Sequence, residues 1–341
     1  MAAMILVNNP GNWGSIYPQL NHAEWHGWTA TDLIFPFFLF IVGVSMVFSF
    51  ARGLESRERR ALVHSVLRRS AVLFALGMLH GNFLHLSLDS LRYVGVLQRI
   101  ALVYLVASLI VLFLPRSTQI WVVAGLLLGY WALMTLVPVP GYGAGVLTEE
   151  GNLAGWVDRH FLPGRKYGGF WDPDGLLSTL PAIATCMLGV FTGQWLRSGR
   201  GRFEIAGGMF AAGWLAILVG MLWGQWFPIN RHLWTSSFAV FSAGAALEAL
   251  ALCFWLIDVR GYRRWAQPAV VFGVNAIVVF VLSGMVGRWL DKTGMKWSIC
   301  HHFFDSWLSP LNASMAFAIA YVVFWWVLMT FLYRRQIFIR I

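Results

Sequence analysis

What limits this chain most is the recurrence of apolar stretches about as long as a bilayer core is thick. They fall near 31–51, 68–86, 94–114, 119–138, 176–196, 205–224, 236–257, 268–287 and 312–333, and a helix needs roughly 20 apolar residues to cross the hydrocarbon core. Only 12% of the 341 residues are charged, against about 25% in a soluble domain. The expectation is an all-α, polytopic membrane helix bundle with nine full spans. "MAAMILV" at 1–7 is too short to span and lacks the basic region and cleavage site of a signal peptide. It reads as the tail of a further span, giving a ten-helix core in one domain, 1–341. Among the loops, 139–175 alone is long enough for an extramembrane element, so no separate soluble domain is expected.

A net charge of +10 would suggest nucleic-acid binding in a soluble protein, but its placement here indicates a membrane address instead. Arg52, Arg57, Arg59, Arg60, Arg68 and Arg69 share one loop. Arg116 lies in a second, Arg197, Arg200 and Arg202 in a third, Arg260, Arg263 and Arg264 in a fourth, and Arg334, Arg335 and Arg340 at the C-terminus. These loops alternate along the chain and hold 16 of its 25 Lys and Arg residues. By the positive-inside rule that side is cytoplasmic. The chain is therefore expected in the cell (inner) membrane, with 8–30, 139–175, 225–235 and 288–311 on the periplasmic or external face. Cys186, Cys253 and Cys300 have no pairing or metal-type spacing and read as packing residues. Gly125/Gly129 and Gly189/Gly193 have the four-residue spacing that lets helices approach closely. Asn312-Ala-Ser314 matches a glycosylation acceptor at the mouth of a span, where a chance match is expected.

Polar groups inside a bilayer are costly and usually face a cavity or a partner. Asp32, His80, Asn82, Gln98, Arg99, Glu248 and Asn275 fall within the apolar runs. The alternating topology puts Asp32, Asn82, Gln98 and Arg99 in the outer half, a set suited to lining one outward-facing cavity with residues 21–26. Each has a structural reading beside the functional one. Asp32 either caps its helix with Thr29 and Thr31 or belongs to a site; Arg99 is either the structural partner of a carboxylate or a ligand group; Glu248 reads as a structural hydrogen-bonding group. In "NHAEWHGWTATDLIFPFFLFIVG" at 21–43, His22 and His26 flank Glu24. On a helix the two imidazoles would share a face, yet no third metal ligand follows from the spacing, so no metal is expected. Acid–base chemistry suits the pair better, since a histidine with a pKa near 6.5 accepts a proton at neutral pH. The other reading is an interfacial histidine with a wet tip. Trp13, Tyr17, Trp25, Trp28 and Trp171 either stack on sugar rings or anchor the interface.

"ILVNNPG" at 5–11, "NHAEWHGWTATDLIFPFFLFIVGVS" at 21–45, "GVLQRIALVY" at 95–104, "WDPDGLLSTLPAI" at 171–183, "GVFTG" at 189–193, "PINRHLWTSSF" at 228–238 and "GVNAIVVFV" at 273–281 resemble, in order, motifs of the heparan-α-glucosaminide N-acetyltransferase family and its bacterial relatives. The likeness runs over essentially the whole chain. It implies a polytopic, dimeric enzyme that moves an acetyl group from cytosolic acetyl-CoA to the amine of an amino sugar or glycan across the membrane. It implies that His22 is the catalytic histidine and that Asn8 assists it. Asp32, Gln98, Arg99, Asp172, Asp174 and Asn275 fall in family blocks and are carried as substrate- or donor-binding positions. An Asp-x-x-Arg-Gly element that precedes "ILVNNPG" in the family is not in this sequence. The alternative function is a transporter or flippase for a sugar-linked or anionic envelope substrate. The lack of a clear internal repeat weighs against that reading.

Overall fold

The computed structural model describes residues 1–56, 59–84 and 90–339; Arg57 and Arg340 lie outside them. Among the described residues all regular structure is helical, with isolated β-bridges only. The short first helix is α1 (Ala2–Asn8). The long helices are α2 (Ala30–Ser56), α3 (Arg59–Asn82), α4 (Val96–Phe113), α5 (Arg116–Leu136), α7 (Thr179–Leu196), α8 (Arg202–Trp223), α9 (Ser236–Phe254) and α13 (Pro310–Arg334). All eight are long and apolar enough to cross a membrane, with α9 continued through a π-turn to Val259.

Two expectations change. The span expected at 268–287 is a broken pair, α10 (Gln267–Val274) and α11 (Ala276–Lys292), with a bent pair of segments meeting at 72°. The backbone leaves helical geometry at Asn275, with φ −119° and ψ 37°. Hydropathy registers the apolar run but not such a break. Secondly, 139–175, which carries α6 (Leu153–Phe161), is not the only loop with helical structure. α12 (Met295–Cys300) and a following π-turn (His301–Asp305) fold between α11 and α13.

The described residues form two compact units. The larger takes 23–28 and 35–260. In it α2 and α7 cross at glycine contacts: a Cβ on Gly43 would strike the Cys186 carbonyl, and one on Gly189 the Phe40 carbonyl. Removing two side chains thus lets the backbones touch, as the Gly189/Gly193 spacing anticipates. Gly125 and Gly129 differ, for their outer faces meet no other part of the protein among the described residues. α5 is tied to the turn before α9 by Tyr130, whose hydroxyl donates to Leu233 O (2.6 Å), and to the first turn of α9 by Ser236, whose hydroxyl donates to Leu127 O (2.6 Å).

The smaller unit takes 1–22, 29–34 and 261–341. Its core packs Ile5 of α1 with Val279, Phe317, Tyr321, Trp325 and Met329. The segment after α1 is stapled to the start of α13. Gly11 N donates to Ser314 O (3.2 Å), Asn12 N to Ser314 Oγ (3.0 Å), and Tyr17 Oη to Asn312 Oδ1 (2.5 Å). Asn312 and Ser314, matched as a glycosylation acceptor, thus serve as fastening points. Asn275 also fastens: its Nδ2 donates to Ile337 O (3.0 Å) and its Oδ1 accepts from Ile339 N (2.9 Å). The side chain at the helix break thus supplies partners to backbone groups of the segment after α13.

Candidate active site

In the smaller unit an irregular segment leads from α1 to α2, and its two ends are held differently. One is the staple to α13. The other is a set of bonds around the first turn of α2, where Thr31 Oγ1 donates to Gln19 O (3.2 Å), Thr29 Oγ1 to Asn21 O (2.6 Å), and His22 N to Asn21 Oδ1 (2.9 Å). This brings the His22 imidazole onto Asp32, with Nδ1 2.6 Å from Oδ1. The carboxylate divides its two oxygens. Oδ2 accepts from Thr29 N (3.0 Å) and lies 3.1 Å from Thr29 Oγ1, the backward reach of an acidic residue in a helix's first turn. Oδ1 serves the imidazole. Asp32 is thus both helix cap and partner, fully buried, while the His22 side chain is 36% exposed. A neutral imidazole whose Nδ1–H is held by a carboxylate keeps its basic lone pair on Nε2.

In the larger unit a second polar cluster joins the 139–178 region to α3 and α4. Asn82 clamps the backbone of Arg92 by donating to its carbonyl (3.0 Å) and accepting from its N–H (2.8 Å). The Arg92 guanidinium then forks onto Asp172 at 2.7 and 2.5 Å and reaches Asp174 at 3.4 Å. Burial pushes the Arg92 pKa down, but the hydrogen bond to Asp172 and the charges of Asp172 and Asp174 outweigh it, for a net rise. Arg99, wholly buried, donates to Gly175 O (3.1 Å) and Ser178 Oγ (2.5 Å), lies 3.7 Å from Asp174, and sits over the Trp234 ring at 5.1 Å. Trp234 holds φ +50°, a left-handed conformation rare for a bulky residue. Phe35, Phe238, Thr185 and Arg99 fix it there. Asp158 on α6 accepts from Leu176 N (3.0 Å) and Asp172 N (3.3 Å). Burial pushes its carboxyl up to about 6, against the pull of those two N–H groups. Beside the cluster, Trp25 stacks on His232 (5.4 Å) and meets Trp171 edge-on (5.2 Å).

The family description "Heparan-alpha-glucosaminide N-acetyltransferase, catalytic" matches residues 1–221. The chain belongs to this family. It is similar to the human protein named heparan-alpha-glucosaminide N-acetyltransferase, with 27% identity over 339 aligned positions, 82% of this chain and 50% of that protein. The mouse protein of the same name is 26% identical, over 82% of this chain and 51% of its own length. The chain thus spans about half the length of these relatives.

Within this N-acetyltransferase family member, the site residues anticipated from sequence separate into several settings. His22 and Asp32 meet. Asn8 is exposed at the end of α1, whereas its neighbour Asn9 is buried, donating Nδ2 to Ile5 O (2.9 Å) with its carbonyl against Gly287. Arg99, Asp172 and Asp174 join one network. Gln98 packs beside Gly77 and Gly95 with Nε2 3.7 Å from Met78 Sδ, and Asn275 fastens the 337–339 segment. Residues 21–28 are not helical, so the helical spacing considered for His22 and His26 is not formed. His26 instead lies 3.3 Å from Asn230, and burial lowers its pKa. Sequence reasoning passed over Arg92, Asp158, Ser178, His232 and Trp234. Arg92 left a signal, a lone arginine just ahead of "GVLQRIALVY". His232 and Trp234 stood inside a quoted motif without being singled out.

Proposed function

We propose that the protein is a transmembrane acetyltransferase that moves an acetyl group from cytosolic acetyl-CoA to the amine of an amino sugar or glycan on the external face. The 2.6 Å contact between His22 Nδ1 and Asp32 Oδ1 carries this reading. Asp32 holds the tautomer with the lone pair on Nε2. Nε2 accepts a proton from the acceptor amine as its nitrogen attacks the thioester carbonyl carbon. The new C–N bond forms, the C–S bond breaks, and the sulfur leaves with the proton returned from the imidazolium. The buried carboxylate stabilises the imidazolium between these events, as an aspartate does for histidine in acyl-transfer triads. In the sequence, Arg52, Arg57, Arg59, Arg60, Arg68 and Arg69 are the densest run of cations on the side proposed as cytoplasmic, and they are the proposed partners of the donor's phosphates, where charge-assisted contacts are favoured.

Supplying the purified full chain in nanodiscs with labelled acetyl-CoA and glucosamine tests the reaction. Label on the amino sugar is expected; counterflow of an envelope substrate without label transfer would favour the transporter. For sidedness, an impermeant thiol reagent on spheroplasts should label Ser15→Cys and spare Ser198→Cys, and the reverse would refute the topology. We read the working form as a homodimer, for which light scattering of the nanodisc-free protein should give twice the 38.4 kDa chain mass.

A further inference from the structure

The larger unit holds a cavity of about 360 Å³ among α2, α7, α8 and α9. Phe40, Phe191, Trp195, Ala212, Ala216 and Leu247 are among its walls. α7 and α8 meet next to their connecting loop, where Trp195 Nε1 donates to Ile205 O (3.1 Å) and the indole covers Gly208. The cavity lies beyond that meeting point, along α8 from Gly208 to Ala216, and Ala212 is exposed. We propose that it holds one acyl chain of an anionic phospholipid, with the lipid phosphate at the loop bearing Arg197, Arg200 and Arg202.

Three observations select this occupant. The first is length: Gly208 to Ala216 covers about 12 Å of helix, close to one leaflet's roughly 15 Å share of the hydrocarbon core. The second is polarity. Thr192 supplies the one hydroxyl in the lining, and it donates to Leu188 O (3.1 Å) within its own helix. A pantetheine arm would leave its amides unpaired against these walls, whereas an alkyl chain asks for no partner. The third is charge at the end nearest Trp195. Arg197, Arg200 and Arg202 are exposed there, and the Arg200 guanidinium lies 4.8 Å from the Trp195 ring whose indole lines the cavity. Arg200 also pairs with Glu204, and Arg202 Nη1 donates to Asp258 O (2.9 Å). Three arginines against Glu204 leave the loop cationic, as a phosphate requires. A helix of a second copy is the poorer fit, because Phe40 and Leu188 place the cavity's far wall on α2 and α7, deeper than the surface grooves into which a facing helix packs.

The test is native mass spectrometry of the full chain, reconstituted in vesicles of equal phosphatidylglycerol and phosphatidylcholine and then released into detergent. One retained phosphatidylglycerol per protomer is expected. Ala212→Phe with Ala216→Phe fills the cavity and should lower retention about tenfold or more, with acetyl-CoA binding unchanged. Arg197→Gln and Arg200→Gln, on the surface and safe for folding, should each reduce the preference for phosphatidylglycerol about fivefold. Undiminished retention in the filled variant would overturn the proposal. So would loss of acetyl-CoA binding with lipid retained, which would give the cavity to the donor, or a changed oligomer with lipid retained, which would give it to a second copy.

Discussion

His22 and Asp32 meet through one imidazole–carboxylate contact with the imidazole side chain 36% exposed, whereas Arg99, Asp158, Asp172 and Asp174 are buried and interlock with Arg92, whose side chain is 21% exposed. Both clusters sit among the polar residues a membrane chain should avoid. Their surroundings separate the roles. A group that takes up and releases a proton needs an approach for the substrate, and of the two clusters the first is the more open at the His22 imidazole, as its proposed role requires. In the second, Arg92 pairs with Asp172 while Arg99 donates Nη2 to Gly175 O and Ser178 Oγ, which fixes the 139–178 region to α4 and leaves Arg99 Nε and Nη1 without a hydrogen-bond partner among the described residues. A buried ion-pair network of this kind adds little net stability when whole, yet costs heavily when broken.

The contrast breaks first at His22. His22→Ala should lower acetyl transfer by about 10²–10⁴-fold while unfolding stability moves by about 1 kcal/mol or less. A large stability loss would place His22 in the structural class. Asp172→Ala should do the opposite, because it strands the Arg92 guanidinium. A loss of about 3–5 kcal/mol is expected in denaturant unfolding, and the double replacement Arg92→Met/Asp172→Leu should recover a good part of it. Full stability in Asp172→Ala would show that the network holds nothing together.

Asp158 gives the buried network a dependence on pH. Its carboxyl rises from the ordinary 3.8 to about 6 in the fold, so between those values the folded state binds a proton that the unfolded state lacks. Its contribution is therefore most favourable below about 3.8 and is lost as pH rises through about 6. Relative to Asp158→Asn, the parent should lose about 3 kcal/mol between about pH 3.5 and pH 7. Parallel stability–pH curves would contradict the shift. The smallest effect belongs to His26, which is exposed, lies 3.3 Å from Asn230 and meets Trp25 edge-on. His26→Ala should keep transfer within a few-fold and stability within about 0.5 kcal/mol; a loss equal to that of His22→Ala would revive a shared role for the two histidines.

Hydropathy made the membrane bundle legible because a bilayer demands long apolar helices and forbids unpaired backbone. The same measure missed the break at Asn275, since a change in backbone dihedrals leaves composition untouched. The start of α3 was placed too late because Arg59, Arg60, Arg68 and Arg69 dilute its first turns. At the site, His22 stands out through the family motif, and Asp32 caps α2 with one oxygen and meets His22 with the other. What sequence left unread was pairing across distance: Arg92 with Asp172 is 80 residues apart in the chain, and no spacing rule connects them. Trp234 was unreadable for a different reason, as a left-handed tryptophan is imposed by its neighbours and not by its own preference.

In the proposed reaction Asp32 acts on the chemistry through His22 and not only as a cap for α2. A double-mutant cycle of His22→Ala and Asp32→Asn, read as kcat/KM for acetyl transfer with acetyl-CoA binding and stability measured alongside, tests it most directly. If the two residues act as one unit, the double variant transfers acetyl no more slowly than His22→Ala alone, since the aspartate has nothing left to orient. If the Asp32→Asn loss instead adds in full to the His22→Ala loss, the carboxylate works independently of the imidazole and the account is wrong.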